Sequence, residues 1–141
     1  MDTEQDLNQD VIPFRDILKR VLIVEPDARQ AERRYLLFRK EKLGSTAVQR
    51  VSEAIRNIQE VHFRAVILDV DVKDMAWEEA VPIIKGLEPG LPIIITATLN
   101  TPEQEAKVLR SKVFYYHVKS FGTEELILAI RNAVENRRIA K

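Results

Sequence analysis

Three short runs of unbroken apolar residues constrain this chain most. They are Val21–Val24 in "RVLIVEPD", Ala65–Leu68 in "AVILD", and the stretch "LPIIITA". Each is too short to be a helix and shows no polar alternation, so each reads as a strand covered on both faces. Segments of helical period lie between them. In "DARQAERRYLLFRKEKLG", Ala28, Ala31, Tyr35 and Phe38 recur at helical spacing. Asp27 suits the N-cap there, Gly44 suits the stop, and the Arg and Lys run reads as a solvated face. "TAVQRV" then reads as a strand and "SEAIRNIQE" as a helix. "WEEAVPIIKGL" is helical, with Pro82 expected to kink it or shift its start. "TPEQEAKVLRS" has Thr101 as cap, Pro102 in the first turn and Gln104 placed to complete a capping box. "VFYYHV" is the last strand. "TEELILAIRNAVENRR" is the last helix, with acids in its first turn and arginines in its last, as the helix dipole favours.

The order is therefore strand and helix, repeated five times. Helical crossovers demand a parallel sheet, and right-handed connections place helices on both of its faces. Residues 1–18 stand apart from this body. Residues 1 to 10 hold four acids and no base and read as a tail, and "VIPFRDILKR" adds a short amphipathic segment. A body over residues 19–141 has ordinary single-domain size.

Composition excludes several classes. The 22 basic residues balance the 22 acidic ones, so no electrostatic case exists for nucleic acid or an anionic membrane as main partner. Without cysteine there is neither a disulfide framework nor a thiolate metal site. The polar start "MDTEQDLNQD" is no signal peptide, and no apolar run approaches membrane-spanning length. A cytoplasmic location is the expectation.

In such sheets, sites form where strands end at their carboxyl edge. The first strand delivers Glu25 there, the third Asp69 and then Asp71, the fourth Thr96 and the fifth Lys119. Glu25 and Asp69 would repel by roughly 4 kcal/mol at about 4 Å and an effective dielectric of ~20. A hard divalent cation would remove that cost, and oxygen-only ligands suit Mg²⁺. Lys119 adds an ammonium for a phosphoryl oxygen, and Thr96 adds a hydroxyl. Carboxylate, cation, lysine and hydroxyl are the parts of a phosphoryl-accepting site. Each part also has a plain structural reading. Thr96 is a good strand residue, Tyr115 and Tyr116 pack, Trp77 packs at its helix start, and the isolated His62 and His117 serve surface or strand roles.

From about residue 19 to 138 the chain resembles the response-regulator receiver domains of two-component signalling. "VLIVEPD" resembles the family's acidic motif and "VILDV" its phosphoacceptor strand. "IIITA" resembles the segment carrying its switch hydroxyl, and "YHVKSF" the one carrying its lysine. The resemblance implies a flavodoxin-like sheet in the order 2-1-3-4-5. It implies Asp69 as phosphoacceptor, Lys119 as phosphate contact, Thr96 and Tyr116 as switch residues, and Mg²⁺ held by Glu25, Asp69 and the backbone carbonyl of Asp71. It also implies a sensor histidine kinase as donor. The surface of the fourth helix, fifth strand and fifth helix would meet a downstream partner or a second copy. No nucleic-acid contact, membrane insertion or enzyme activity beyond self-phosphorylation and dephosphorylation is expected. If nothing follows residue 141, output passes through a partner, a homodimer or onward phosphotransfer; the chain could equally be a piece of a longer protein.

The chain departs from the family pattern at four places. Pro26 stands where a second acid usually supplies a metal ligand, and proline has neither a side-chain oxygen nor an N–H. Ser120 replaces a proline, Lys112-Val113 replaces Gly-Ala, and Lys73 replaces the proline after the acceptor. Asp71 either compensates with a carboxylate near the cation or is a solvent-facing loop acid. The alternative function is a pseudo-receiver that works without phosphorylation. A nucleotide site on the same scaffold is disfavoured by the lack of a Gly-rich loop after the first strand.

Overall fold

The computed structural model describes residues 20–139. The expected tail over residues 1–18 lies outside them. The elements run β1 Val21–Val24, α1 Ala28–Lys40, β2 Ser45–Val48, α2 Val51–Glu60, β3 Ala65–Asp69, α3 Trp77–Leu87, β4 Ile93–Ala97, α4 Pro102–Arg110, β5 Tyr115–Val118 and α5 Glu124–Ile139. All strand pairs are parallel, in the order β2-β1-β3-β4-β5, as the flavodoxin-like reading requires.

Period-two geometry splits the solid apolar runs between two cores. Leu22, Val24, Val66, Leu68, Ile93 and Ile95 face α2, α3 and α4, packing on Ala54, Phe63, Trp77 and Ile84. Val21, Ile23, Ala65, Ile67 and Ile94 face α1 and α5, packing on Phe38, Leu43, Leu126 and Ile130. Every residue of β1, β3 and β4 is buried, whereas the edge strands β2 and β5 are mostly half-buried. Each fully buried Leu, Ile or Phe contributes about 1.5–3 kcal/mol, which makes the three central strands the anchor of the sheet.

Local expectations met four outcomes. Asp27 caps α1 by accepting from the Arg29 and Gln30 amides, as read. The stop of α1 is not at Gly44. Lys42 takes the left-handed position at φ 64°, with Lys42 N–H bonded to Arg39 O and Leu43 N–H to Phe38 O at 2.7 Å. That is a Schellman motif, and the burial of Leu43 against the same core as Phe38 outweighs the missing glycine. Pro82 neither displaces the start of α3 nor ends the helix; it lies exposed within Trp77–Leu87. The capping box of α4 is only half made. Thr101 accepts from the Gln104 amide, but the Gln104 side chain turns to Leu99 O and the Tyr116 hydroxyl.

Among the described residues, no helix is long and apolar enough to cross a membrane. The arginine run on α1 is not wholly a solvated face either, because Arg34 folds into the body beneath the carboxyl edge of the sheet.

Candidate phosphoacceptor site

β1 lies between β2 and β3: the chain runs from β1 outward to β2, then crosses back past β1 to β3 and on toward β5, so the winding direction reverses at β1 and β3. The crevice at their carboxyl ends is therefore the topological switch point. Strand alternation continues past each apolar run. Glu25 follows Ile23, Asp69 follows Ile67, and Thr96 follows Ile94, all toward the α1 and α5 face. Thr96 lies beside Asp69 in the β3–β4 register. Glu25 is 2% exposed, and Asp69 and Thr96 are fully buried.

Buried carboxylates must be paired and hydrogen-bonded. Asp69 Oδ1 accepts from the Asp71 amide at 2.9 Å. Asp69 Oδ2 accepts from the Thr96 hydroxyl at 2.8 Å and from Lys119 Nζ at 2.8 Å. Glu25 Oε1 accepts from Lys119 Nζ at 2.9 Å, and Oε2 accepts from the Asp27 amide at 3.1 Å. The repulsion foreseen between Glu25 and Asp69 is thus relieved by one ammonium placed between them. Lys119 opens a 3₁₀ turn, Lys119–Phe121, directly after β5. Gly122 closes that turn at φ 92°, a left-handed conformation that favours glycine. Ser120 sits in the turn, and no cis peptide occurs among the described residues.

Two neighbours of this cluster were not read from the sequence. Gln30, in the first turn of α1, accepts from Lys119 Nζ at 2.7 Å. Arg34 lies one turn further along α1. Burial pulls its guanidinium below its ordinary pKa, while Glu25 and Asp69 pull it back up, and its Nη1 is buried without a hydrogen-bond partner. The spacing of 30 and 34 was the available signal, since i and i+4 share one helix face. His117, beside Thr96 in the β4–β5 register, is also buried with Nδ1 unpartnered. Its pKa is lowered by burial first and then by Arg34.

Tyr116 is not part of this cluster. It points to the opposite face, donates to Asn100 Oδ1 at 2.7 Å and accepts from Gln104 at 2.9 Å. It therefore ties β5 to the β4–α4 loop. Asp71 turns its side chain outward onto an open cleft of ≈ 330 Å³, shared with Glu25, Pro26, Gln30, Lys73 and Lys119. Asp74, the last acid of the loop, works elsewhere: its carboxylate accepts from the Val51 and Ser52 amides, both at 3.0 Å, and caps α2.

The donors suit an oxygen-seeking divalent cation in kind, because Glu25, Asp69 and Asp71 offer only carboxylates. Pro26 has no side-chain oxygen to add, and its carbonyl accepts from Gln49 Nε2 at 2.8 Å. Among the described residues, no group of three or more His, Cys, Asp or Glu side chains is arranged to hold a metal ion.

A model of the response regulator receiver domain matches residues 21–131. The chain belongs to the response regulator receiver domain family. The receiver is 27% identical over 111 residues to the probable transcriptional regulatory protein TcrX of Mycobacterium tuberculosis, covering 79% of this chain and 47% of that one. It spans only 20% to 47% of the length of the curated relatives it matches. Its fold is that of a CheY-like receiver domain protein from Methanospirillum hungatei JF-1, with a TM-score of 0.80, 20% identity, and coverage of 88% and 99% of the two chains. The beryllofluoride-activated NtrC4 receiver domain dimer is similar at a TM-score of 0.77 and 23% identity, covering 84% of this chain and 98% of that one.

Proposed function

We propose that Asp69 is the phosphoacceptor of this receiver, taking a phosphoryl group from a phosphohistidine of a sensor kinase. A carboxylate oxygen of Asp69 forms the new O–P bond. The P–N bond breaks, and its electron pair returns to the imidazole, which takes up a proton. Lys119 and Thr96 already bond to Asp69 Oδ2, so a fixed ammonium and a hydroxyl stand where charge on the transferred group develops. This shared contact carries the reading. Glu25 and Asp69, with Asp71, would hold Mg²⁺, which when bound supplies charge neutralisation for the incoming phosphoryl group. The domain acts as a cytoplasmic signalling module, and its chemistry is confined to its own phosphorylation and dephosphorylation.

Output passes through protein contacts on the flank formed by α4, β5 and α5. Leu109 of α4, Phe121 after β5 and Leu128 of α5 are 73%, 69% and 61% exposed, and Leu99 before α4 is 78% exposed. Such apolar exposure suits a downstream partner or a second copy. Tyr116 and Thr96, on adjacent strands, are the switch pair that would reshape this flank.

The test is intact mass after incubation with Mg²⁺ and acetyl phosphate. One phosphoryl mass that is absent in Asp69→Asn is expected. No gain at high-millimolar Mg²⁺ would instead favour a phosphorylation-independent interaction module.

A further inference from the structure

An ammonium has three N–H donors. Lys119 spends all three: on Asp69 at 2.8 Å, on Glu25 at 2.9 Å and on Gln30 at 2.7 Å. Nothing remains for a phosphoryl oxygen. Two of the acceptors are buried carboxylates, and the third is the neutral Gln30 amide. All three bonds are assisted by the ammonium's charge, but only Asp69 and Glu25 add the attraction of an opposite full charge, so the bond to Gln30 is the one that yields first.

The surroundings of Gln30 reinforce its role. Its Nε2 faces Asp27 Oδ2 at 3.5 Å while its Oε1 faces the ammonium, so both neighbours select the same amide orientation. Its backbone amide is held by the Asp27 cap. The side chain lines the open cleft beside Glu25, Asp71 and Lys119. That cleft opens onto Lys119, the residue that bonds the buried Asp69.

We propose that Gln30 is a latch: it occupies the third donor of Lys119 in the unmodified receiver and releases it to the phosphoryl group. Gln30 is a positioning residue that acts through Lys119 and sets how readily the acceptor is filled. The inference rests on Asp69 being the acceptor.

The test measures beryllofluoride affinity at saturating Mg²⁺ in the wild type, Gln30→Ala and Gln30→Glu, together with the ¹⁵Nζ resonance and N–H exchange of Lys119. Gln30→Ala frees the donor and should tighten beryllofluoride binding by roughly three- to tenfold. Gln30→Glu replaces a neutral acceptor with a charged one that also repels the incoming anion, and should weaken binding by about tenfold. A change below twofold in Gln30→Ala, or the same sign in both variants, overturns the latch. If the wild type binds no beryllofluoride, the acceptor reading fails and the latch falls with it. If the wild type binds, faster N–H exchange and a shifted Lys119 resonance in Gln30→Ala support the latch, and an unmoved signal overturns the latch while the acceptor reading stands.

Discussion

Glu25 and Lys119 stand 94 positions apart in the chain, and their charged groups meet at 2.9 Å. Asp69 meets the same ammonium at 2.8 Å. One cation therefore serves two buried anions, and the energetics of the pocket turn on it.

Replacing that cation should expose the cost. Lys119→Met leaves Glu25 and Asp69 facing each other in a buried site. Breaking a buried pair by removing one partner typically costs about 3–5 kcal/mol. Urea denaturation should show a loss near the lower figure, because Arg34 still faces both acids. Added Mg²⁺ should recover more stability in this variant than in the wild type, through ligand linkage.

Arg34 opposes any metal by its charge. Arg34→Met keeps an unbranched side chain and removes the cation that faces Glu25 and Asp69. Mg²⁺ affinity, read by titration of backbone amide resonances, should rise by roughly threefold or more as the repulsion is lifted. Unchanged affinity would mean that solvent already screens the guanidinium from the site.

Asp74 links the loop after Asp69 to α2. Burial raises its pKa, but the bonds from the Ser52 and Val51 amides outweigh this and leave it lowered. Asp74→Ala should cost about 1 kcal/mol as a lost helix cap. Hydrogen exchange at Val51 and Ser52 should accelerate first, ahead of the sheet amides.

Lys112 ends α4 at φ 55°, where the family pattern has glycine. A left-handed conformation costs a residue with a Cβ roughly 1–2 kcal/mol, part of which glycine returns as chain entropy. Lys112→Gly should therefore raise stability by about 0.5–1 kcal/mol in urea or thermal melts. The bond from Lys85 Nζ to the carbonyl of residue 112 survives the change, since it uses backbone.

His117 sets a pH limit. Burial lowers its pKa from the ordinary 6.5, Arg34 and Lys119 lower it further, and Glu125 opposes them. The unfolded chain thus takes up the proton first. The stability tied to a neutral His117 is present above about pH 6.5 and is lost as pH falls from there toward the folded pKa. Urea midpoints at pH 7.5 and pH 5.5 should differ by less in His117→Gln than in the wild type.

Much of this protein was legible before folding was considered. Val21–Val24, Ala65–Leu68 and "IIITA" are local signals, and their burial on both faces implied a covered parallel sheet. The ends of those runs located Glu25, Asp69 and Thr96, because a strand's period of two fixes which face the next residue takes. The stop of α1 was misplaced at Gly44, since a Schellman motif is set by where Leu43 can bury rather than by where glycine lies.

The sequence alone determined the elements, their order and the residues brought to one edge, because those follow from periodicity along single segments. Only the tertiary structure decided how that edge is wired. The bond of Lys119 to Gln30 spans 89 positions and that of Asp74 to α2 spans 23. The Arg34 guanidinium is buried where Glu25 and Asp69 act on it, and the Pro26 carbonyl went to Gln49. Such contacts depend on where packing places one side chain against another, and no local pattern in the chain encodes that distance.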